Sequence, residues 1–274
     1  MIIFKRLLLL ATIALAMVGC ISATVNMPKK ERKVAVQAYT FNRFTLEETI
    51  QKIKGIGLDG IECYPGQKLS AKYPNVKVGI GMNAEQRAYM KKLLADAGLK
   101  MVSFGVTRTN NEKEIEESCK FAKEFGCDKV LTEDCVARFP AWQEIGKKYG
   151  VTMCLHHHGL EAPNQYYDPD VVLKYTGPYD QIKTNPDVGH AHRAGFDPND
   201  ALRRYKGKIG SIHIKDHDKD CVGVPLGKGV LDIAKMLKLL DAQGYDGFFV
   251  IEHEVNFDNN LEEVKECLKF LREN

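Results

Sequence analysis

The sequence contains no Cys-x-x-Cys pair, no concentrated basic excess, no Pro-, Gly- or Ser-rich linker, and no apolar run long enough to span a membrane. Each absence closes a class. Without paired cysteines, a cysteine-ligated zinc site has no foundation. With 39 Lys and Arg against 36 Asp and Glu, the formal charge is only +3, which argues against a nucleic-acid surface. The apolar run Leu7 to Val18 falls short of the roughly 20 residues that a transmembrane helix needs. A chain of 274 residues with 44% hydrophobic residues is neither disordered nor collagenous nor a coiled coil, and nothing in it marks a boundary between two domains.

What is present begins with an export pattern. Lys5 and Arg6 precede the apolar run and Gly19-Cys20 follows it, so residues 1–19 read as a signal peptide. Met17-Val18-Gly19-Cys20 resembles a bacterial lipobox, which makes Cys20 the expected lipid-bearing residue and residues 20–32 a tether. Removing the leader lowers the formal charge by two, to +1. Seven cysteines then remain, and an odd number in an exported chain does not build a closed disulfide framework. The expected location is the periplasm or the outer membrane, with the membrane contacted only through the lipid.

From residue 33 onward, short β-rich runs alternate with helical stretches. Strands are expected at 34–39, 60–64, 100–105, 129–133, 151–156, 182–188, 209–214 and 248–252, with amphipathic helices between them and a last one carrying Leu261, Val264, Leu268 and Leu271. Thr45-Leu-Glu-Glu48 is a capping box that opens the first helix. Eight such units over residues 33–274 indicate a single (β/α)8 TIM barrel. Three segments echo one another, each running from a helix end through a turn and a strand to a glutamate: Glu62, Glu133 and Glu252. Barrel active sites are built at those strand ends.

All eight histidines lie in the second part of the chain. His156, His158, Asp187, His190, His213 and Glu252 fall at or just past strand ends, and alternation points His156 and His158 to one face and His157 to the other. Asp187, His213 and Glu252 form a mixed nitrogen and oxygen donor set suited to a divalent ion: Mn, Zn, Co, Fe or Mg. His192, His217 and His253 read instead as hydrogen-bonded structural residues.

At Leu155-His-His-His-Gly159, Pro186-Asp-Val-Gly-His190, His213-Ile-Lys-Asp216, Gly227-Lys-Gly229 and Val250-Ile-Glu252 the sequence resembles the xylose isomerase-like TIM barrels, the sugar phosphate isomerase/epimerase family. The resemblance implies Asp187, His213 and Glu252 as metal ligands, with His190 and Lys215 near substrate. Many members place a glutamate where this chain has His156. The fourth ligand is therefore expected from His158 with Glu133, and His156 is the first alternative. Glu133, His158 and Glu252 are the expected proton-transfer groups, and Glu62, His156, His190 and Lys215 the expected substrate contacts. Such a site would serve isomerisation or epimerisation of a sugar or keto-sugar through an enediolate. The same chemistry would also serve a lyase or hydratase acting on 3-keto glycosides, and a sugar-binding lipoprotein without turnover is a third possibility. An exported protein would meet an unphosphorylated carbohydrate rather than a sugar phosphate, and a phosphodiesterase would need further His ligands after the seventh strand.

Overall fold

The structure, a computed structural model, describes residues 31–161, 164 and 166–274, so the expected signal peptide and Cys20 lie outside the described residues. Eight parallel strands frame the chain: β1 Val34–Gln37, β2 Gly60–Cys63, β3 Lys100–Thr107, β4 Lys129–Thr132, β5 Thr152–His156, β6 Ile182–Asn185, β7 Ile212–Ile214 and β8 Phe249–Ile251. They are ordered β6-β5-β4-β3-β2-β1-β8-β7, and parallel bridges from Thr184 to Ile209 and from Asp187 to His213 bring the two edges together. This is the expected TIM barrel. No helix among the described residues is long and apolar enough to cross a membrane.

Alternation along the strands sorts the side chains into two layers. Val34, Val36, Ile61, Met101, Phe104, Val130, Met153, Leu155, Ile212 and Ile214 join the large core between strands and helices. The small residues Ala35, Val102 and Val250 pack against Phe248 within the barrel. The next inward positions are polar, and they carry the site. A register shift between Ile61 and Glu62 pairs Glu62 with Ser103 and skips Val102, as a β-bulge does. Val102 can then fill the interior while Ser103 bonds to Glu62.

The first helix, α1 (Leu46–Ile53), starts at the expected capping box: Glu48 N donates to Thr45 Oγ1 at 3.2 Å, and Thr45 N donates to the Glu48 carboxylate at 2.8 Å. Two segments differ from the expected pattern. The sixth strand stops at Asn185, and Val188–Arg193 forms a short helix, α2, that Asp187 caps by accepting from His190 N at 2.8 Å. After β7, Asp216–His217 pairs antiparallel with Gly223–Val224 in a hairpin that alternation alone did not announce. Buried Asp216 organises that loop, accepting backbone N–H bonds from His217, Gly227, Gly229 and Leu231 at 2.9–3.2 Å. The seven cysteines among the described residues are all free, in keeping with the odd count.

At Gly60 a Cβ would lie 2.3 Å from Val102 Cγ1 and 2.7 Å from the Lys100 carbonyl oxygen. Gly60→Ala is therefore expected to cost about 1–3 kcal/mol through overpacking. Urea unfolding measures this, and an unchanged midpoint would contradict the close approach.

Candidate metal centre

Four strand ends deliver four donors to one point. His156 ends β5, Asp187 follows β6, His213 sits within β7 and Glu252 follows β8. One donor atom from each lies within 4.8 Å of the others, and all four residues are buried. His156 Nε2, Asp187 Oδ2, His213 Nδ1 and Glu252 Oε2 are buried atoms without a hydrogen-bond partner. His213 Nδ1 and Glu252 Oε2 lie 2.9 Å apart, a close charge contact across the centre. Of the four, His156 Nε2 has no polar contact, while the two carboxylate oxygens share the Lys215 ammonium; polar atoms gathered in an interior are costly, and one divalent ion would satisfy all four. Two imidazole nitrogens and two carboxylate oxygens fit a divalent cation of borderline softness.

Each imidazole is backed by a carboxylate. His213 Nε2 lies 2.7 Å from Glu62 Oε1, and Glu62 in turn accepts from Gln37 Nε2 and Ser103 Oγ. This fixes the ring with Nδ1 facing the centre, the arrangement that orients metal-ligating histidines. On the other side, His156 Nδ1 lies 2.9 Å from Glu133 Oε1, and Arg108 bonds to the second Glu133 oxygen.

Electrostatics depend on Lys215, whose ammonium is 2.9 Å from Asp187 Oδ2, 3.0 Å from Glu252 Oε2 and 2.7 Å from Glu254 Oε2. Burial alone would raise the carboxylates, but Lys215 and His190 hold Asp187 down at about 2, and Lys215 and His213 hold Glu252 well below the usual range. Burial likewise opposes ionisation of Glu133, yet its bonds to His156 and Arg108 keep it at about 2. His190 is pushed down to about 4, mainly by burial, and is neutral near pH 7.

The arrangement departs from the expected ligand set in three places. His156 occupies the fourth corner, because β5 ends there and residue 158 has already left the strand. His158 groups instead with Glu161 and His190. Glu133 stands behind His156, bonded to both its Nδ1 and Arg108. Glu62, expected near substrate, is completely buried and reaches only His213, Gln37 and Ser103, so it positions a ring rather than touching a ligand. His190 and Lys215 do lie beside the cluster. A 260 Å³ cavity opens over it, lined among others by Tyr39, Tyr64, Glu133, His156, His158 and His190. A larger 430 Å³ cleft lies at the opposite end, near the starts of β3 and β4, and no histidine lines it. His192 and His217 bond to each other, His253 bonds to Glu263, and His157 packs on Tyr205, all away from the centre. The sequence reading missed Gln37, Ser103, Arg108 and Glu254; for Glu254 the signal was alternation from Glu252.

A closed parallel barrel with imidazoles and carboxylates at its strand ends defines a class of metal-type sites on TIM barrels. Within that class, the chain belongs to the xylose isomerase-like TIM barrel family, whose model matches residues 50–274. An inosose dehydratase of Klebsiella pneumoniae is 25% identical across 83% of this chain and 90% of its own. Among solved structures, an uncharacterized protein from Parabacteroides distasonis is 26% identical with a TM-score of 0.72, covering 88% of this chain and 98% of that one. The 3-keto-D-glucoside 4-epimerase of E. coli shares the fold at 16% identity and a TM-score of 0.70, covering 89% and 100%.

Lys215→Met would leave Asp187 and Glu252 buried without their shared cation. The metal-free protein is expected to lose about 3–5 kcal/mol, as when one partner of a buried ion pair is removed. Chemical denaturation with and without Zn²⁺ tests this: the deficit should shrink when the ion is present. Equal loss in both conditions would show that Lys215 and an ion do not compensate the same oxygens.

Proposed function

We propose that this protein is a divalent-metal-dependent enzyme that removes the proton beside the carbonyl of a sugar, keto-sugar or related polyhydroxylated ketone, with the resulting enediolate reprotonated as in an isomerase or epimerase. The observation that carries this reading is the convergence of four buried imidazole and carboxylate donors beneath a cavity of monosaccharide scale. His156, Asp187, His213 and Glu252 would hold the ion, which supplies Lewis acidity toward neighbouring hydroxyl and carbonyl oxygens when bound. Glu62 and Glu133 orient the two imidazoles. Glu252 reaches both cluster and cavity and is the proposed base; proton transfer by such a positioned group contributes about 10²- to 10⁴-fold. Lys215, buried among Asp187, Glu252 and Glu254, is proposed to offset negative charge that develops near them during the reaction.

A second outcome, loss of a β-substituent from the same enediolate, draws support from the inosose dehydratase relative. Both outcomes begin with the same C–H cleavage, and product structure separates them.

The export pattern supports a further part of the proposal: a lipoprotein anchored at Cys20 that meets unphosphorylated carbohydrate outside the cytoplasm. Cys20→Ser should move the protein out of the membrane fraction on cell fractionation, and unchanged partition would remove the anchor from the proposal.

For the reaction, a keto-sugar or 3-keto glycoside incubated in D₂O with Mn²⁺ or Co²⁺ should gain deuterium at the reacting carbon or yield an unsaturated product. EDTA and Glu252→Gln should each abolish both. Tight sugar binding without exchange or product across these substrates would instead identify a binding protein.

A further inference from the structure

We propose that the substrate is a glycoside with an apolar aglycone, as in an aryl glycoside, and that Tyr39 is the specificity-determining residue that recognises this aglycone. The inference rests on the reaction proposed above and names the class of keto-sugar on which it acts.

The first observation is where apolar surface is left uncovered. The exposed large hydrophobic residues among those described are Tyr39, Val136, Leu160, Val222 and Val230, each between 38% and 62% exposed. They follow β1, β4, β5 and, twice, β7, so all five stand at the end of the barrel where the strands deliver the donor groups. Of the five, none lies on an outer helix face or at the opposite end. Single exposed apolar residues are ordinary on a protein surface, but five confined to one rim are not scattered.

The second observation is how Tyr39 is held. Its own N–H donates to Gln37 Oε1 at 3.1 Å. The next residue, Thr40, accepts from His253 N at 3.0 Å through Oγ1 and from Asn260 Nδ2 at 2.7 Å through its carbonyl. The Tyr39 ring meets Tyr64 edge-on at 5.3 Å and 73°, and Phe257 at 6.4 Å and 83°. Exposure here is not looseness, because backbone bonds and two neighbouring rings fix the side chain that water still reaches. A rigid aromatic ring offers contact area at little cost in conformational entropy.

The third is position relative to the metal centre. Tyr64, Tyr39 and Phe257 follow β2, β1 and β8, three consecutive strands of the barrel, whereas His156, Asp187 and His213 come from β5, β6 and β7 across it. Tyr39 and Tyr64 line the same 260 Å³ cavity as His156 and Glu252. Val222 and Val255 line a 120 Å³ pocket that shares Glu252 and Glu254 with that cavity. A sugar whose oxygens face the donors therefore turns its far side toward the aromatic wall. A free sugar presents hydroxyls around its whole edge, and burying one against apolar surface without a partner is costly. An aromatic aglycone instead buries apolar area there and stacks on Tyr39. Because this surface is continuous with the site, its occupant is part of the substrate rather than a separate partner.

The test compares phenyl and methyl 3-keto-glucosides, in both anomeric forms, on the full chain loaded with Mn²⁺, with turnover read from deuterium incorporation or product. Calorimetry measures binding of the unoxidised phenyl and methyl glucosides in parallel. Wild type should favour the phenyl compounds by about 10-fold in kcat/KM and in Kd, the scale of one well-packed aromatic contact. Tyr39→Ala, shown folded by circular dichroism, should bring the phenyl and methyl values together, and Tyr39→Phe, which keeps the ring, should preserve the preference. If neither keto-glucoside reacts but the phenyl glucoside binds more tightly to wild type and not to Tyr39→Ala, the reaction fails and the aglycone assignment stands. Turnover of both keto-glucosides with equal kcat/KM in wild type would overturn the assignment and leave the reaction standing. A preference that survives in Tyr39→Ala, or no measurable binding or turnover of any of these compounds, would also overturn it. So would a dimer in sedimentation that Leu160→Ser and Val222→Ser dissolve, without any aglycone preference, because the rim would then serve a second copy of the chain.

Discussion

Two carboxylates, Asp187 and Glu252, face one another in the barrel interior, and the need to balance their charge governs the arrangement of everything near them. In a medium of low effective dielectric their repulsion is strong, and neither can be hydrated by bulk water. The fold answers with Lys215 and His213, which contribute a long flexible cation and a ring locked in place by Glu62. The ammonium touches three carboxylates, so it has somewhere to remain when a divalent ion takes over the charge of two of them. The barrel supplies the rest: strand ends from β5 through β8 bring the donors together without any one loop having to be long.

An imidazole rather than a third carboxylate at position 156 sets this balance. A divalent ion with two carboxylates is neutral, where a third carboxylate would leave a net negative shell. Glu133, on the neighbouring strand end, stands behind the ring with Oε1 2.9 Å from His156 Nδ1. Negative charge at this corner thus stands behind the ligand rather than on it. Such a shell is better matched to a borderline transition ion than to Mg²⁺.

Much of this was legible from residues alone. Hydrophobic alternation and capping signals located the eight strands and most helices, because those signals are local and the barrel repeats them. Asp187, His213 and Glu252 stood out because charged and ionisable groups at strand ends have no packing reason to be there. The three glutamates of the internal echo, in contrast, looked alike and have different fates: Glu62 is sealed beneath His213, Glu133 backs His156, and Glu252 faces the centre. What separates them is which partners meet them across the barrel, including Ser103, placed by a bulge, and Arg108, just beyond β3. Pairings between residues 25 to 151 positions apart leave no periodic trace. The short helix after Asp187 was hidden for a related reason, since one aspartate both caps it through Oδ1 and faces the site through Oδ2.

Asp216 has a consequence for how a ligand is admitted. By gathering four backbone N–H groups onto one buried carboxylate immediately after Lys215, it ties a stretch of some fifteen residues at the mouth of the barrel to the strand that carries His213 and Lys215. Fixing a backbone residue costs about 1–2 kcal/mol of conformational entropy, and for this part of the rim that cost is met when the chain folds. A ligand therefore encounters a rim segment that is already shaped, and its binding energy is free to go into orientation rather than into ordering that loop. The wall that Asp216, His217 and Val222 give to the 120 Å³ pocket beside Glu252 and Glu254 is thus of fixed contour before any ligand arrives.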